Sequence, residues 1–253
     1  MSKDREYAVV TGASSGIGAA TARTLAAHGY HVIAAARRMD RLAELVASNE
    51  NIEAVELDVT NQSSVDALAH LLSDKPVTVV VSNAGGSFDG SLLLESDVES
   101  WLKTFDVNVL GSVRVIKALT PLLRKSGRGI IVVVTSTAGH VTYETGGSYT
   151  AAKHAEKALV QTLRLELNGE PIRVTEIAPG MVKTDEFALN RFAGDSAKAA
   201  KVYEGVEAPL TADDVAEAIR WSIMLPDHFN VDSMTIRPVA QAAQHKVHRV
   251  TKN

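Results

Sequence analysis

Tyr7-Ala8-Val9-Val10-Thr11-Gly12-Ala13-Ser14-Ser15-Gly16-Ile17-Gly18 joins an apolar, β-prone run to an amphipathic segment through three glycines. Glycine permits a tight turn, close approach of backbone to a ligand and close packing of helix on strand. The helix that begins here would offer free amides and the positive end of its dipole to a phosphate. The spacing is Gly-x-x-x-Gly-x-Gly, whereas the common dinucleotide fingerprint is Gly-x-Gly-x-x-Gly. Taken alone, the stretch reads either as a phosphate-binding turn or as a plain Gly-rich connection from strand to helix.

Moving outward, apolar runs alternate with helix-like segments along most of the chain. Strands are expected at Tyr7 to Val10, Val32 to Ala36, Ile52 to Leu57, Val77 to Val81, Ile130 to Val134, Arg173 to Ile177 and near Met234 to Arg237. Val77 to Val81 and Ile130 to Val134 are almost continuously apolar, as strands covered on both faces must be. Strands separated by long helices require crossovers, so the expectation is an α/β fold with a parallel sheet. No repeat, low-complexity tract or linker divides residues 1–253, and a single domain is expected. Ser96 to Glu99 and Thr211 to Asp214 have the spacing of helix-capping boxes. A helix is expected from Trp101 to Leu123, with Asn108, a poor helix former, inside it.

Composition narrows the class. Hydrophobic residues at 45% and charged residues at 22% of 253 supply a normal core and surface. A net charge of -4 argues against a nucleic-acid surface. The absence of Cys removes disulfides, thiol catalysis and Cys-based zinc sites. No apolar run approaches a membrane span, and the charged start Met1 to Glu6 does not resemble a signal peptide, so a cytoplasmic protein without membrane partners is expected. His245-x-x-His248 lacks carboxylate support, and no metal site is expected.

The residues at the strand ends carry the chemistry. Ala36 is followed by Arg37 and Arg38, where a site for a free ribose 2′-hydroxyl would place an acid; guanidinium groups suit a 2′-phosphate, which favours NADP over NAD. The other reading of Arg37, Arg38 and Arg41 is solvated charge. Asp58-Val59 closes the third strand and Asn83-Ala84-Gly85 the fourth, at the edge where open parallel sheets bind ligands. Helix capping is the alternative for Asp58. Ser136 follows the fifth strand at the same edge, and thirteen residues later comes Tyr149-Thr150-Ala151-Ala152-Lys153. On a helix, Tyr149 and Lys153 share a face. At roughly 5 Å and an effective dielectric of about 20, the ammonium would favour a phenolate by about 3 kcal/mol, drawing the phenol towards neutrality. A Tyr-x-x-x-Lys arises by chance in about one shuffled chain in four of this composition, and only its company gives it weight.

Together these residues, in this order and with Pro179-Gly180, resemble the short-chain dehydrogenase/reductase family across essentially the whole chain. The resemblance implies a doubly wound, Rossmann-like sheet of seven strands in the order 3-2-1-4-5-6-7 with helices on both faces, a nicotinamide cofactor and a homotetramer. It implies a catalytic set of Asn108, Ser136, Tyr149 and Lys153: Ser136 hydrogen-bonds the carbonyl oxygen, Tyr149 is the acid/base, Lys153 lowers the phenol pKa and holds ribose hydroxyls, and Asn108 positions a water. Cofactor contacts are expected from Gly12, Ser14, Ser15, Gly16, Ile17, Gly18, Arg37, Arg38, Asp58, Val59, Asn83, Ala84, Gly85, Tyr149 and Lys153. Pro179, Gly180, Val182 and Thr184 are implied at the nicotinamide end. Ser82 stands where members usually carry a first Asn, and Ala178 where many have Glu. Within the family, Arg37-Arg38-x-x-Arg41-Leu42, Arg191-Phe192-x-Gly194-Asp195, Leu225-Pro226-x-His228 and Arg237-Pro238-x-x-Gln241 look most like NADP-dependent dehydrogenases of 3-hydroxy acids, including serine, and clavulanate-type aldehyde reductases.

The expected function is hydride transfer between NADP(H) and a carbonyl or secondary alcohol, the substrate being a 3-hydroxy acid or a small aldehyde or ketone. Thr184 to Leu210, long for a passive connection and carrying Phe187, Phe192 and Tyr203, reads as a substrate lid. Arg191 or Lys183 would pair with a substrate carboxylate, or both are surface cations. The small residues Ala151, Ala152, Ala155 and Ala158 suit either a subunit contact or packing within one subunit. The rival reading is a silent NADP-binding sensor with the same fold, against which the retention of both Tyr149 and Lys153 weighs.

Overall fold

The computed structural model describes residues 6–184, 186–192 and 194–250. Seven strands, β1 (Tyr7–Thr11), β2 (His31–Ala36), β3 (Ile52–Glu56), β4 (Val77–Ser82), β5 (Gly129–Val134), β6 (Ile172–Pro179) and β7 (Ser233–Ile236), form one sheet. Their order is β3-β2-β1-β4-β5-β6-β7, and every pairing is parallel. Each expected strand is therefore present, and the expected order holds. Parallel neighbours need crossovers, and these are supplied by α1 (Gly16–Ala27), α2 (Met39–Ala47), α3 (Gln62–Leu71), α4 (Val98–Phe105), α5 (Gly111–Lys125), α6 (Gly147–Glu166) and α9 (Ala212–Ile223). Between β6 and α9 lie the short helices α7 (Phe187–Arg191) and α8 (Ser196–Tyr203), and a small antiparallel pair, β8 (Gln241–Ala243) with β9 (Lys246–Val247), follows β7.

The period-2 pattern of the strands divides the core. Val10, Val32, Val79, Val81, Val132 and Ile177 face α1, α2 and α9 through Leu25, Leu42, Val215 and Ile219. Val9, Ile33, Val80, Ile131, Val133 and Val174 face the other way, towards α3, α5 and α6 through Leu68, Val115, Leu119, Leu123 and Val160. Side chains on both faces are fully enclosed, which explains the unbroken apolar runs of β4 and β5.

Two local expectations change in detail. Thr211 does form the capping box with Asp214, but α4 starts one residue later than its spacing suggests: Asp97 is the cap, and Ser96 instead accepts a 2.9 Å hydrogen bond from the Trp101 indole. The helix expected from Trp101 to Leu123 runs from Val98 to Lys125 but carries a π turn at Asp106–Leu110. No helix among the described residues is long and apolar enough to cross a membrane.

Candidate active site

The carboxyl ends of the strands open onto a cleft of about 1140 Å³, lined by the Gly12–Ile17 turn, Asn83–Gly86, Ser136, Tyr149, Lys153 and the segment after β6. It lies where the strand order reverses between β1 and β4, the usual ligand crevice of such sheets. Gly12 has φ +68°, and a Cβ there would stand 2.9 Å from the Ala84 Cα; a Cβ on Gly18 would stand 2.3 Å from the Gly12 carbonyl oxygen. These two glycines therefore answer to conformation and close packing, and Gly18 supports the turn from behind. Thr11 Oγ1 accepts hydrogen bonds from the amides of Asn83 and Ala84, both at 3.0 Å, while Asn83 Nδ2 donates to the Thr11 carbonyl at 3.0 Å. The ends of β1 and β4 are thereby locked together.

The π turn has a use. A widened turn leaves carbonyls short of partners, and Asn108, fully buried, donates from Nδ2 to Thr104 O at 2.7 Å and to Gly86 O at 2.8 Å while its Oδ1 accepts from Gly86 N at 3.1 Å. The side chain of Asn108 clamps the Gly85-Gly86 turn. The poor helix propensity of Asn108 signalled a hydrogen-bonding task, and this is that task.

The two arginines after β2 divide. Arg38 Nη2 donates to Ser14 Oγ at 2.9 Å and Ser15 Oγ at 3.0 Å, beside the N-terminus of α1. The same guanidinium grips Glu186 at 2.6 and 2.8 Å, and Ser15 Oγ donates to that carboxylate at 2.9 Å. The Arg38 guanidinium holds the Glu186 carboxyl below its ordinary range. Here a carboxylate of the chain itself stands where the donor set, two hydroxyls and a guanidinium at a helix start, suits phosphate oxygens. At Asp58, burial pushes the carboxyl up, but hydrogen bonds from Thr60 and the charges of Arg37 and Arg114 hold it down. Asp58 accepts from the Thr60 amide at 2.9 Å and does not cap α3, whose cap is Asn61. Val59 is buried against the position of Gly111. Because Glu186 and a phosphate would compete for one donor set, Glu186→Gln is expected to tighten NADPH about threefold to tenfold, the order of one weakened ionic hydrogen bond, with NADH nearly unchanged. Titration of nucleotide fluorescence measures both.

Tyr149 is 7% exposed and stacks edge-on against Phe187, with ring centroids 5.3 Å apart. Burial pushes its phenol well above the ordinary value; the hydrogen bond with Ser136 and the charge of Arg191 work downwards, while Glu156 pushes it further up. This corrects the expectation that Lys153 alone draws the phenol towards neutrality. Lys153 shares the buried face of α6, but its Nζ donates to Val134 O at 3.1 Å and lies 2.6 Å from Glu156 Oε2. Nζ stands 5.7 Å from the Tyr149 ring centroid, so Glu156 is the nearer of the two groups. Ser136, half-buried, accepts from the Ala138 amide at 3.1 Å and donates to Pro179 O at 3.4 Å.

On the far wall, Arg191 donates from Nη2 to Thr145 Oγ1 at 2.9 Å and to its carbonyl at 3.0 Å, and packs on Tyr143, with Cζ 5.3 Å from the ring centroid. Burial pushes the Tyr143 phenol up to about 12. Arg191 Nε is buried with no hydrogen-bond partner among the described residues. Arg191 is thus not a plain surface cation, whereas Lys183 is exposed. The segment from Thr184 is tied at its root, where Val182 bridges Leu210 and the Tyr203 hydroxyl donates to Val182 O at 2.9 Å. Asp185 and Ala193 of this segment lie outside the described residues. His154 is exposed, turned away from the cleft as its position on the helix requires, and no group of three or more His, Asp or Glu converges as a metal site among the described residues.

A family model described as short chain dehydrogenase matches residues 6–191. The chain belongs to the short-chain dehydrogenase family. Among curated members of the family, an uncharacterized oxidoreductase of Mycobacterium tuberculosis strain H37Rv is 52% identical over 239 residues, covering 94% of this chain and 93% of the relative. An NADP-dependent 3-hydroxy acid dehydrogenase of Escherichia coli K12 is 36% identical over 245 residues, covering 95% and 98%. Among solved structures of similar shape, a closed form of serine dehydrogenase complexed with NADP+ superposes with a TM-score of 0.90 at 34% identity, covering 96% of this chain and 100% of that one. An actinorhodin polyketide ketoreductase variant with NADPH gives 0.83 at 27% identity, covering 92% and 96%.

Glu156, Glu186 and Tyr143 escaped the reading of the sequence. Glu156 had left a signal: it stands at i+7 from Tyr149 and i+3 from Lys153, on the same helix face. Glu186 had left none, because its partner Arg38 is 148 positions away.

Proposed function

We propose that this short-chain dehydrogenase is an NADP-dependent oxidoreductase of small 3-hydroxy acids and the corresponding carbonyl compounds. The observation that carries the reading is one cleft lined by Ser136, the buried phenol of Tyr149 and the Arg191 guanidinium, whose buried Nε has no hydrogen-bond partner among the described residues. The two hydroxyls suit a carbonyl or alcohol, and the guanidinium suits a carboxylate.

NADP(H) fits the donor set. Arg38, Ser14 and Ser15 would hold the 2′-phosphate, with Arg37, Asp58 and Val59 beside them. Gly12, Gly16, Ile17 and Gly18 build the turn for the pyrophosphate, Asn83, Ala84 and Gly85 the floor, and Pro179, Gly180, Val182 and Thr184 the nicotinamide end. When bound, the nicotinamide supplies the hydride chemistry. Ser136 donates to the substrate oxygen where negative charge develops. Tyr149 gives a proton to that oxygen on reduction and removes it on oxidation. Lys153 supplies the ammonium that stabilises the phenolate and holds ribose hydroxyls. Asn108 keeps the Gly85-Gly86 turn in place. The segment 184–210 excludes water as a lid, with Phe187 packed on the acid/base ring.

Relatives named for 3-hydroxy acid and serine dehydrogenase activity support the substrate class. NADP-linked oxidation across 3-hydroxy acids, serine, simple alcohols and steroids tests it: preference for the acids is expected, and cofactor binding without turnover on every compound would favour a silent sensor. In Arg191→Ala, KM for 3-hydroxy acids should rise about tenfold or more, as loss of a charge-assisted hydrogen bond implies, with KM for neutral alcohols within about twofold. An unchanged preference removes Arg191 from carboxylate recognition.

Assembly as a homotetramer is supported by two separate apolar surfaces, one of Leu94, Val98, Leu102 and Phe105 and one of Trp221, Met224 and Phe229, all exposed in the single chain. Two self-complementary faces suit the two-fold axes of a dihedral tetramer. A cytoplasmic location agrees with a chain that has no Cys.

A further inference from the structure

Glu156 lies on α6 and is 1% exposed. A carboxylate so placed is costly unless a counter-charge and hydrogen bonds offset its desolvation. Its Oε2 is 2.6 Å from Lys153 Nζ. Its Oε1 is 3.4 Å from Ser112 Oγ, whose hydrogen has a shorter acceptor in the Asn108 carbonyl at 2.7 Å. Ser82 in turn donates to Ser112 at 3.0 Å. Ser82, at the position where the chain departs from the family pattern, thus joins a polar cluster directly behind the catalytic residues. Among the described residues Lys153 is the nearest charge to Glu156, close in distance but not aligned as a hydrogen bond to Oε2; burial pushes the carboxyl above its ordinary range, and the Lys153 ammonium works downwards against it. Ionised groups elsewhere around the pair are Glu176 on β6, which is 3.0 Å from the ring of His140, and Lys157 on α6, 3.1 Å from the other nitrogen of that ring; the π turn, α5 and β4 contribute the uncharged Asn108, Ser112 and Ser82.

We infer that Glu156 is a positioning residue for the reaction: its carboxylate fixes the Lys153 ammonium and balances its charge, so the acid strength of Tyr149 answers to the pair and not to the lysine alone. The inference rests on the proposed roles of Tyr149 and Lys153. Two properties of the site meet here. Lys153 is anchored in a groove between Val134 O and Glu156, and a negative charge sits close enough to Tyr149 to oppose its ionisation.

The pH dependence of kcat for alcohol oxidation tests this. Oxidation needs the phenolate, so the rate climbs with pH through the apparent pKa of the phenol. In Glu156→Gln the lysine charge is unbalanced and the phenolate gains, so the rising limb should move down by about one pH unit. At pH values on that limb the variant is then about ten times faster relative to its own plateau, while NADPH affinity by fluorescence titration stays within about threefold. A limb that is unmoved, or that moves up because Lys153 has lost its proton, overturns the inference. Should the glutamine variant fail to fold, Glu156→Asp, which withdraws the charge by one methylene, is read on the same profile: a smaller downward shift supports the inference and an unmoved limb overturns it. Turnover retained by Tyr149→Phe would remove the underlying reading, whereas a silent Tyr149→Phe with an unmoved Glu156→Gln profile would remove this inference only.

Discussion

Tyr149→Phe is expected to lower kcat by about 10²- to 10⁴-fold, the range that general acid–base catalysis supplies, and to leave NADPH affinity within about twofold. The phenol lies between Ser136, Phe187 and the Lys153–Glu156 pair, so removing its oxygen takes away the proton donor without opening a cavity. The stacking on Phe187 survives the substitution. Burial favours the protonated phenol, and so fixes the sign of the pH dependence. In reduction the donor is fully loaded through neutral pH, and the rate should be flat until the phenol titrates. In oxidation the base must first lose its proton, and the rate should climb as pH rises. Single-turnover kinetics with fluorescence titration of the same samples separates chemistry from binding. A variant that retains more than about a tenth of wild-type turnover would disprove the role.

Arg38→Ala should weaken NADPH about 10- to 150-fold, corresponding to the roughly 1.5–3 kcal/mol of a hydrogen bond to a charged group, and change NADH by no more than about twofold. Arg38 reaches Ser14 and Ser15 at the start of α1, whereas the charge of Arg37 acts on Asp58. Arg37→Ala is accordingly the control, with a smaller loss. Removing Arg38 also leaves Glu186 unmatched beside the phosphate donors, which adds repulsion to the lost contact. Equilibrium binding of the two nucleotides to each variant decides. Equal losses for NADPH and NADH would mean that Arg38 supports the turn and does not read the phosphate.

Much of this architecture is visible in the bare chain, because the signals are local. The period of the strands and the glycines at 12, 16 and 18 depend on neighbours within a few residues, and they led to the sheet order that the structure has. Ser136, Tyr149 and Lys153 were legible for the same reason: each sits at a strand end or on one helix face. What escaped depends on groups brought together from afar. Glu186 meets Arg38 from 148 positions away, and Arg191, whose Nε has no hydrogen-bond partner among the described residues, meets Thr145 and Tyr143 from a distant part of the chain. The error over the Tyr149 phenol is of another kind. A pair of charges in a polarisable medium favours the phenolate, whereas burial, the largest influence on this phenol, and the nearby charge of Glu156 both favour the protonated form.

The run from Val98 to Lys125 changes its allegiance part-way. Before the π turn, Val98, Leu102 and Phe105 point outwards; after it, Val115, Leu119 and Leu123 point into the sheet. A single widened turn rotates the rod between these duties, and Asn108 sits at the joint, gripping Gly86 beneath the cleft. The joint of the rod thus also supports the floor of the cleft. One side chain therefore sets both the geometry of the joint and that of the Gly86 turn, so the bend of the rod and the floor of the cleft are fixed by the same three hydrogen bonds.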